Sequence, residues 1–184
     1  MNQILFYLHY KNISVVILAI VIIIILYNKS QYITQYSSIN KQHYQVLNNN
    51  DSQEAADRLA ISISNIDEFV KYLVKHKNNK WPTFNTCIER LGQRYPPEKI
   101  TEGRDNCSSI RDKKKELVIC LKDEHCKFTP LSRIRKILIH ELAHIACVSN
   151  GHGSEFKNIH KFLQIESKHF FSKKNKVHIQ SKHL

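Results

Sequence analysis

The stretch "ILIHELAHIACVSNGHGSEF", Ile137 to Phe156, sets His140 and His144 four residues apart, puts Glu141 directly after the first, and brings His152 eight residues after the second. Around it, Ile134, Ile137, Leu138, Leu142, Ile145 and Ala146 recur at helical spacing. The pattern predicts a helix that begins after Pro130 and ends at Gly151 as a C-terminal cap. On such a helix, residues four apart share a face, so His140 and His144 project side by side and can grip one cation. Glu141 is turned roughly 100° from His140, where it can reach a water without being a ligand. The bland alternative is an apolar helix that happens to carry histidines. Against it stands the cost of burying imidazole and carboxylate in an apolar helix without partners.

H-E-x-x-H on a helix is the metallopeptidase arrangement: two histidines bind zinc and the glutamate acts as general base. A catalytic zinc takes three protein ligands and keeps one position for water. For the third ligand His152 is preferred, because the turn at Asn150–Gly151, with Gly153 behind it, can swing that side chain back against the helix. Glu166, 22 residues past His144, is the rival, since some zinc sites use two histidines and a downstream glutamate. His160 is a weaker candidate, and His125 and His178 read as surface residues. The expected chemistry is peptide-bond hydrolysis through a zinc-bound water. Leu117–Leu121 would form a strand beside the cleft, able to pair with an extended substrate backbone.

The 184 residues allow one domain plus appendages. A formal charge of +12 attracts nucleic acid, acidic lipid headgroups or acidic proteins without choosing among them. From Lys157 to Leu184 there are seven lysines against one acid, Glu166, which reads as a solvated tail rather than a nucleic-acid arm. Cys87, Cys107, Cys120, Cys126 and Cys147 contain no Cys-x-x-Cys pair, and their odd number argues against a complete disulfide framework. They read as thiols, although Cys107 with Cys120 or Cys126 would pair in an oxidising compartment.

At the amino terminus "ISVVILAIVIIIILY", Ile13 to Tyr27, has no charge, and "ILFYL" extends it upstream. A bilayer-spanning helix needs about 20 apolar residues. Residues 4–27 supply them if Lys11 snorkels, with Tyr7, Tyr10 and Tyr27 at the interfaces. The following "YNKSQYIT" lacks a small-residue cleavage site, so the run reads as a single-pass membrane anchor, not a cleaved signal. Lys11 on one side and Lys29 and Lys41 on the other nearly balance; the basic body inclines the domain to the cytosolic side.

The intervening chain divides as follows. Residues 1–29 form the anchor, 30–52 a polar linker, 53–171 the catalytic domain and 172–184 a basic tail. Asp51 or Ser52 caps a helix through Ala55–Leu59, and Ile66, Phe69, Val70, Leu73 and Val74 predict an amphipathic helix over 65–77. Pro82 breaks it, a short helix follows over 84–92, and "RYPPEKITEGRDN" reads as loop.

The run "ELVICLKDEHCKFTPLSRIRKILIHELAHIACVSNGHGSEFKNIHKFL", Glu116 to Leu163, resembles the WLM and SprT-like zinc metalloproteases, most of all the WLM-like proteins of large DNA viruses. It carries a short apolar strand, a variable loop, a helix bearing H-E-L-x-H, a turn of the G-H-x-x-E-F type and another helix. The resemblance spans about Asn106 to Leu163. It implies Zn2+ at His140, His144 and His152, Glu141 as general base, and an α+β, minimal zincin-like domain in which a small sheet lies over the active-site helix. It also implies a protein or peptide substrate. Two other readings stay open: a membrane-anchored structural or adaptor protein with a non-catalytic zinc site, and a DNA-associated protease acting on protein–DNA crosslinks.

Overall fold

The computed structural model describes residues 13, 15–24, 26, 31–96, 99–104, 108–111 and 115–180, the side chains of 175–180 excepted. Most of the expected anchor therefore lies outside the described residues. The described part, residues 15–24, is helical with exposed side chains. Among the described residues no helix is long and apolar enough to cross a membrane.

The domain is α+β. Strands β1 (Tyr32–Tyr36) and β2 (His43–Leu47) form a hairpin. Helix α1 (Ser52–Lys80), a 3-10 turn (Pro82–Phe84) and α2 (Asn85–Arg94) follow, then β3 (Lys99–Glu102), β4 (Ser109–Arg111), β5 (Glu116–Ile119), α3 (Leu131–Ala146) and α4 (Ser154–Gln180). The sheet order is β1-β2-β3-β5-β4. Strands β2, β3 and β5 run parallel, while β1 and β4 are antiparallel to their neighbours.

Four sequence expectations need correction. The polar linker expected over 30–52 supplies β1 and β2, with Tyr44 and Val46 buried. Its Gln, Asn and Ser content conceals a period-two pattern in "HYQVL". The hairpin is tied to α1 where Ser37 Oγ and the Ser38 amide both donate to Asp57 Oδ1 at 2.7 Å. The expected loop "RYPPEKITEGRDN" contains β3, a strand of four residues held by parallel partners on both sides. Such pairing is non-local and leaves little trace in four residues.

Third, the expected solvated tail is the long helix α4. Phe156, Ile159, Phe162, Leu163 and Phe171 are buried along one stripe while the lysines between them face water. Fourth, β5 is not available to a substrate, because β3 and β4 flank it; β4 is the strand at that edge. Helix α1 also extends well beyond 65–77. Ala55, Ala56 and Ala60 make its first half small-sided, and Leu59, Ile63, Ile66, Phe69, Val70 and Leu73 carry the buried face. Asp51 sits at the N-cap but makes no cap bond; its carboxylate accepts from Lys122 Nζ at 2.6 Å.

Helix α3 is enclosed by the other helices. Ile134, Leu138, Ile139, Leu142, Ala143, Ile145 and Ala146 are all buried, and α1, α2 and α4 pack against it. Its C-terminus falls at Ala146, earlier than Gly151, because Cys147 turns extended.

Gly103 lies where β3 meets β5, its amide donating to the Ile119 carbonyl at 2.8 Å. A Cβ there would stand 2.5 Å from Cys120 Sγ and 3.0 Å from Val118 Cγ1. Gly103→Ala is expected to destabilise the domain by about 1–3 kcal/mol, read from urea unfolding midpoints. An unchanged midpoint would mean that the β3–β5 junction relaxes freely.

Candidate metal centre

His140 and His144 project from one face of α3, as their spacing requires. His152 comes from the loop between α3 and α4, where Gly151 adopts φ +83°, a conformation few other residues accept. The three Nε2 atoms form a nearly equilateral triangle: His140 to His144 is 3.3 Å, His144 to His152 is 3.2 Å, and His152 to His140 is 3.1 Å. Four-coordinate zinc with bonds of about 2.0–2.1 Å sets its ligands roughly 3.3–3.4 Å apart. The triangle therefore has the size that one such cation demands. Three imidazole lone pairs pointed at one another repel unless a proton or cation sits among them, so the donor set itself fits a metal. Among the described residues these three histidines form the one cluster able to hold a metal ion.

The rings rest on Phe156, from the first turn of α4. Its centroid lies 4.9 Å from His140, 4.3 Å from His144 and 4.6 Å from His152. Phe156 is itself buried. Stacking and edge contacts of this kind fix ring orientation as well as burying area. His160 packs edge-on against His140 at 5.0 Å, outside the Nε2 triangle, with its own Nε2 buried and unpartnered. Burial lowers the pKa of His140, as do the nearby His160 and His152, which favours the neutral imidazole that a metal needs. Glu166 lines a separate groove with Phe84 and Phe162 between α2 and α4, so it does not join the cluster.

Glu141 is buried beside the histidines and lines the same cleft of about 490 Å³. Burial pushes its carboxyl up to about 7, while the Ile110 backbone amide bonds to it and pulls the other way. A carboxyl near neutrality can both accept and release a proton. The cleft is completed by Ser108, Ser109 and Ile110 on the β4 side and by Ser149, Asn150 and Gly151 on the loop side.

Two contributors were not found from sequence. Phe156 was legible only as the last residue of the G-H-x-x-E-F turn, with no role attached to it. The Ile110 amide carries no side-chain signal at all, because its role comes from the edge position of β4.

A sequence profile of the SprT-like family matches residues 69–183. An uncharacterized protein of Acanthamoeba polyphaga mimivirus is 29% identical over 159 residues, covering 83% of this chain and 80% of the relative. The crystal structure of Wss1 from Saccharomyces cerevisiae shares the fold with a TM-score of 0.50 at 16% identity, over 70% of this chain and 88% of that one.

Phe156→Ala is expected to cost about 3–5 kcal/mol of stability, measured by chemical denaturation of the metal-free protein. A loss below about 1 kcal/mol would show that the histidine rings do not depend on this platform.

Proposed function

The chain belongs to the SprT-like family, and from that membership together with the three converging imidazoles we propose that it is a zinc-dependent metallopeptidase acting on protein or peptide substrates. The observation that carries the reading is the Nε2 triangle with a buried carboxyl beside it. His140, His144 and His152 would hold the ion. Zinc bound there supplies Lewis acidity that polarises a scissile carbonyl and makes a nearby water easier to deprotonate. Glu141 accepts a proton from the attacking water and delivers it to the leaving amine. Burial of Glu141 keeps its carboxyl basic enough for the first transfer and acidic enough for the second. Strand β4 borders the cleft at the sheet edge, so an extended substrate would add to β4, with main-chain bonds aligning its scissile bond over the histidines.

A closed structural zinc site would need a fourth protein donor. The cluster among the described residues has three, which favours catalysis over a purely structural ion. The alternative substrate class, proteins attached to nucleic acid, is supported by the charge of +12 and by exposed Lys157, Lys161, Lys168, Lys173 and Lys174 along α4. Its mark would be DNA binding that weakens steeply with salt.

Glu141→Gln is expected to retain stoichiometric zinc and lose cleavage of a peptide library by at least about 100-fold. His144→Ala is expected to lose the metal. Unchanged proteolysis in the first variant, or full zinc content in the second, would remove that residue from its role.

The localisation part of the proposal is a membrane tether through the amino-terminal apolar run. The exposed side chains of residues 15–24 support it, since a bilayer would cover them. The full chain is then expected to stay with membranes through alkaline extraction, and its release into the soluble fraction would contradict the tether.

A further inference from the structure

We propose that Glu155 is a positioning residue for His152, clasping the loop between α3 and α4 so that the third imidazole is held over the other two; the inference rests on the zinc reading of the site. Cys147 at the start of the loop is buried, but beyond it the loop has no apolar anchor. Val148 is 68% exposed and residues 149–154 all face solvent. Polar bonds must therefore order it, and they converge on one carboxylate. The Val148 amide donates to Glu155 Oε1 at 3.1 Å, while the Ser149 amide and hydroxyl donate to Oε2 at 3.2 and 2.9 Å. Residues 148 and 149 are thereby pinned to the first turn of α4, and His152 lies inside the closed segment.

The clasp is anchored from outside. Arg90 on α2 donates to Glu155 Oε1 at 3.0 Å and to the Ala146 carbonyl at 2.6 Å. Arg94, one turn along, donates to the carbonyls of Ile145 and Cys147 at 3.1 and 3.0 Å. These guanidinium groups satisfy the terminal carbonyls of α3 that no glycine cap serves, and they register the loop against the helix bearing His140 and His144. The Val148 amide, and after it Ser149 and Arg90, hold the Glu155 carboxyl down to about 2, so the clasp is an ionised carboxylate at neutral pH. Without it, the binding of a cation must also order residues 148–153, and affinity falls.

The test is zinc titration of the full chain against a chromophoric chelator, with Co2+ absorption as a second reading of coordination. Wild type is expected to bind one ion. Glu155→Ala is expected to weaken zinc by about 10–100-fold and to change the Co2+ spectrum, the size expected when support to a ligand is lost. In a His152→Ala background the same change is expected to cost nothing further, because Glu155 acts through His152. Gly103→Ala serves as a control for general destabilisation and is expected to leave zinc affinity in place. If Glu155→Ala folds poorly, Arg90→Gln cuts the same clasp from the α2 side. Wild-type affinity in Glu155→Ala or Arg90→Gln, or an equal further loss in the His152→Ala background, overturns the positioning role. Absence of zinc binding by wild type would instead overturn the metal reading beneath it.

Discussion

Three imidazole nitrogens just over 3 Å apart are an unstable arrangement in an empty protein and a favourable one around a cation. The remaining structure can be understood as what holds them there. Helix α3 presents two of the rings and cannot shift, because it is buried among α1, α2 and α4. Phe156 supplies a common floor for all three. The third ring rides on an exposed loop and depends on tethers at the loop's ends.

This division explains why the charged residues near the site sit where they do. Arg90 and Arg94 would be unremarkable on the surface of α2. Against the end of α3 they meet carbonyls that a helix leaves without partners, and one of them also meets Glu155. Glu141 is handled in the opposite way. It is buried, raised toward neutrality, and touched by a backbone amide of the edge strand. One acid is held ionised by the amides, hydroxyl and guanidinium that bind it, and the other is raised toward neutrality by burial.

Legibility in the sequence tracked the range of the interactions concerned. Helix α3 and the face shared by His140 and His144 follow from local spacing, and both were readable. The lysine-rich segment after Lys157 misled because charge was weighed over the whole stretch. The stripe Ile159, Phe162, Leu163 and Phe171 was present in it at helical period but diluted by exposed lysines. The strands β1, β2 and β3 were hidden for another reason. β1 and β2 pair locally as a hairpin but are short and rich in polar residues, while both partners of the four-residue β3 lie elsewhere in the chain, so its own residues carry little of the stabilising energy. Residues 1–12 belong to neither account, since they lie outside the described residues.

The amino-acid sequence by itself determined the chemistry on offer: two histidines and a glutamate on one helix, a third histidine after a glycine turn, a basic surface and an apolar amino terminus. Those are properties of residue type and local period, which need no knowledge of distant partners. Only the tertiary structure shows which candidate third donor lies beside His140 and His144, because both were within reach along the chain and only packing turns His152 toward α3 and Glu166 into the groove beside α2. It likewise decided that β4 forms the edge beside the cleft, and that Arg90 and Glu155 meet across 65 residues. Contacts of that separation are selected by the folded core as a whole, so no local pattern records them.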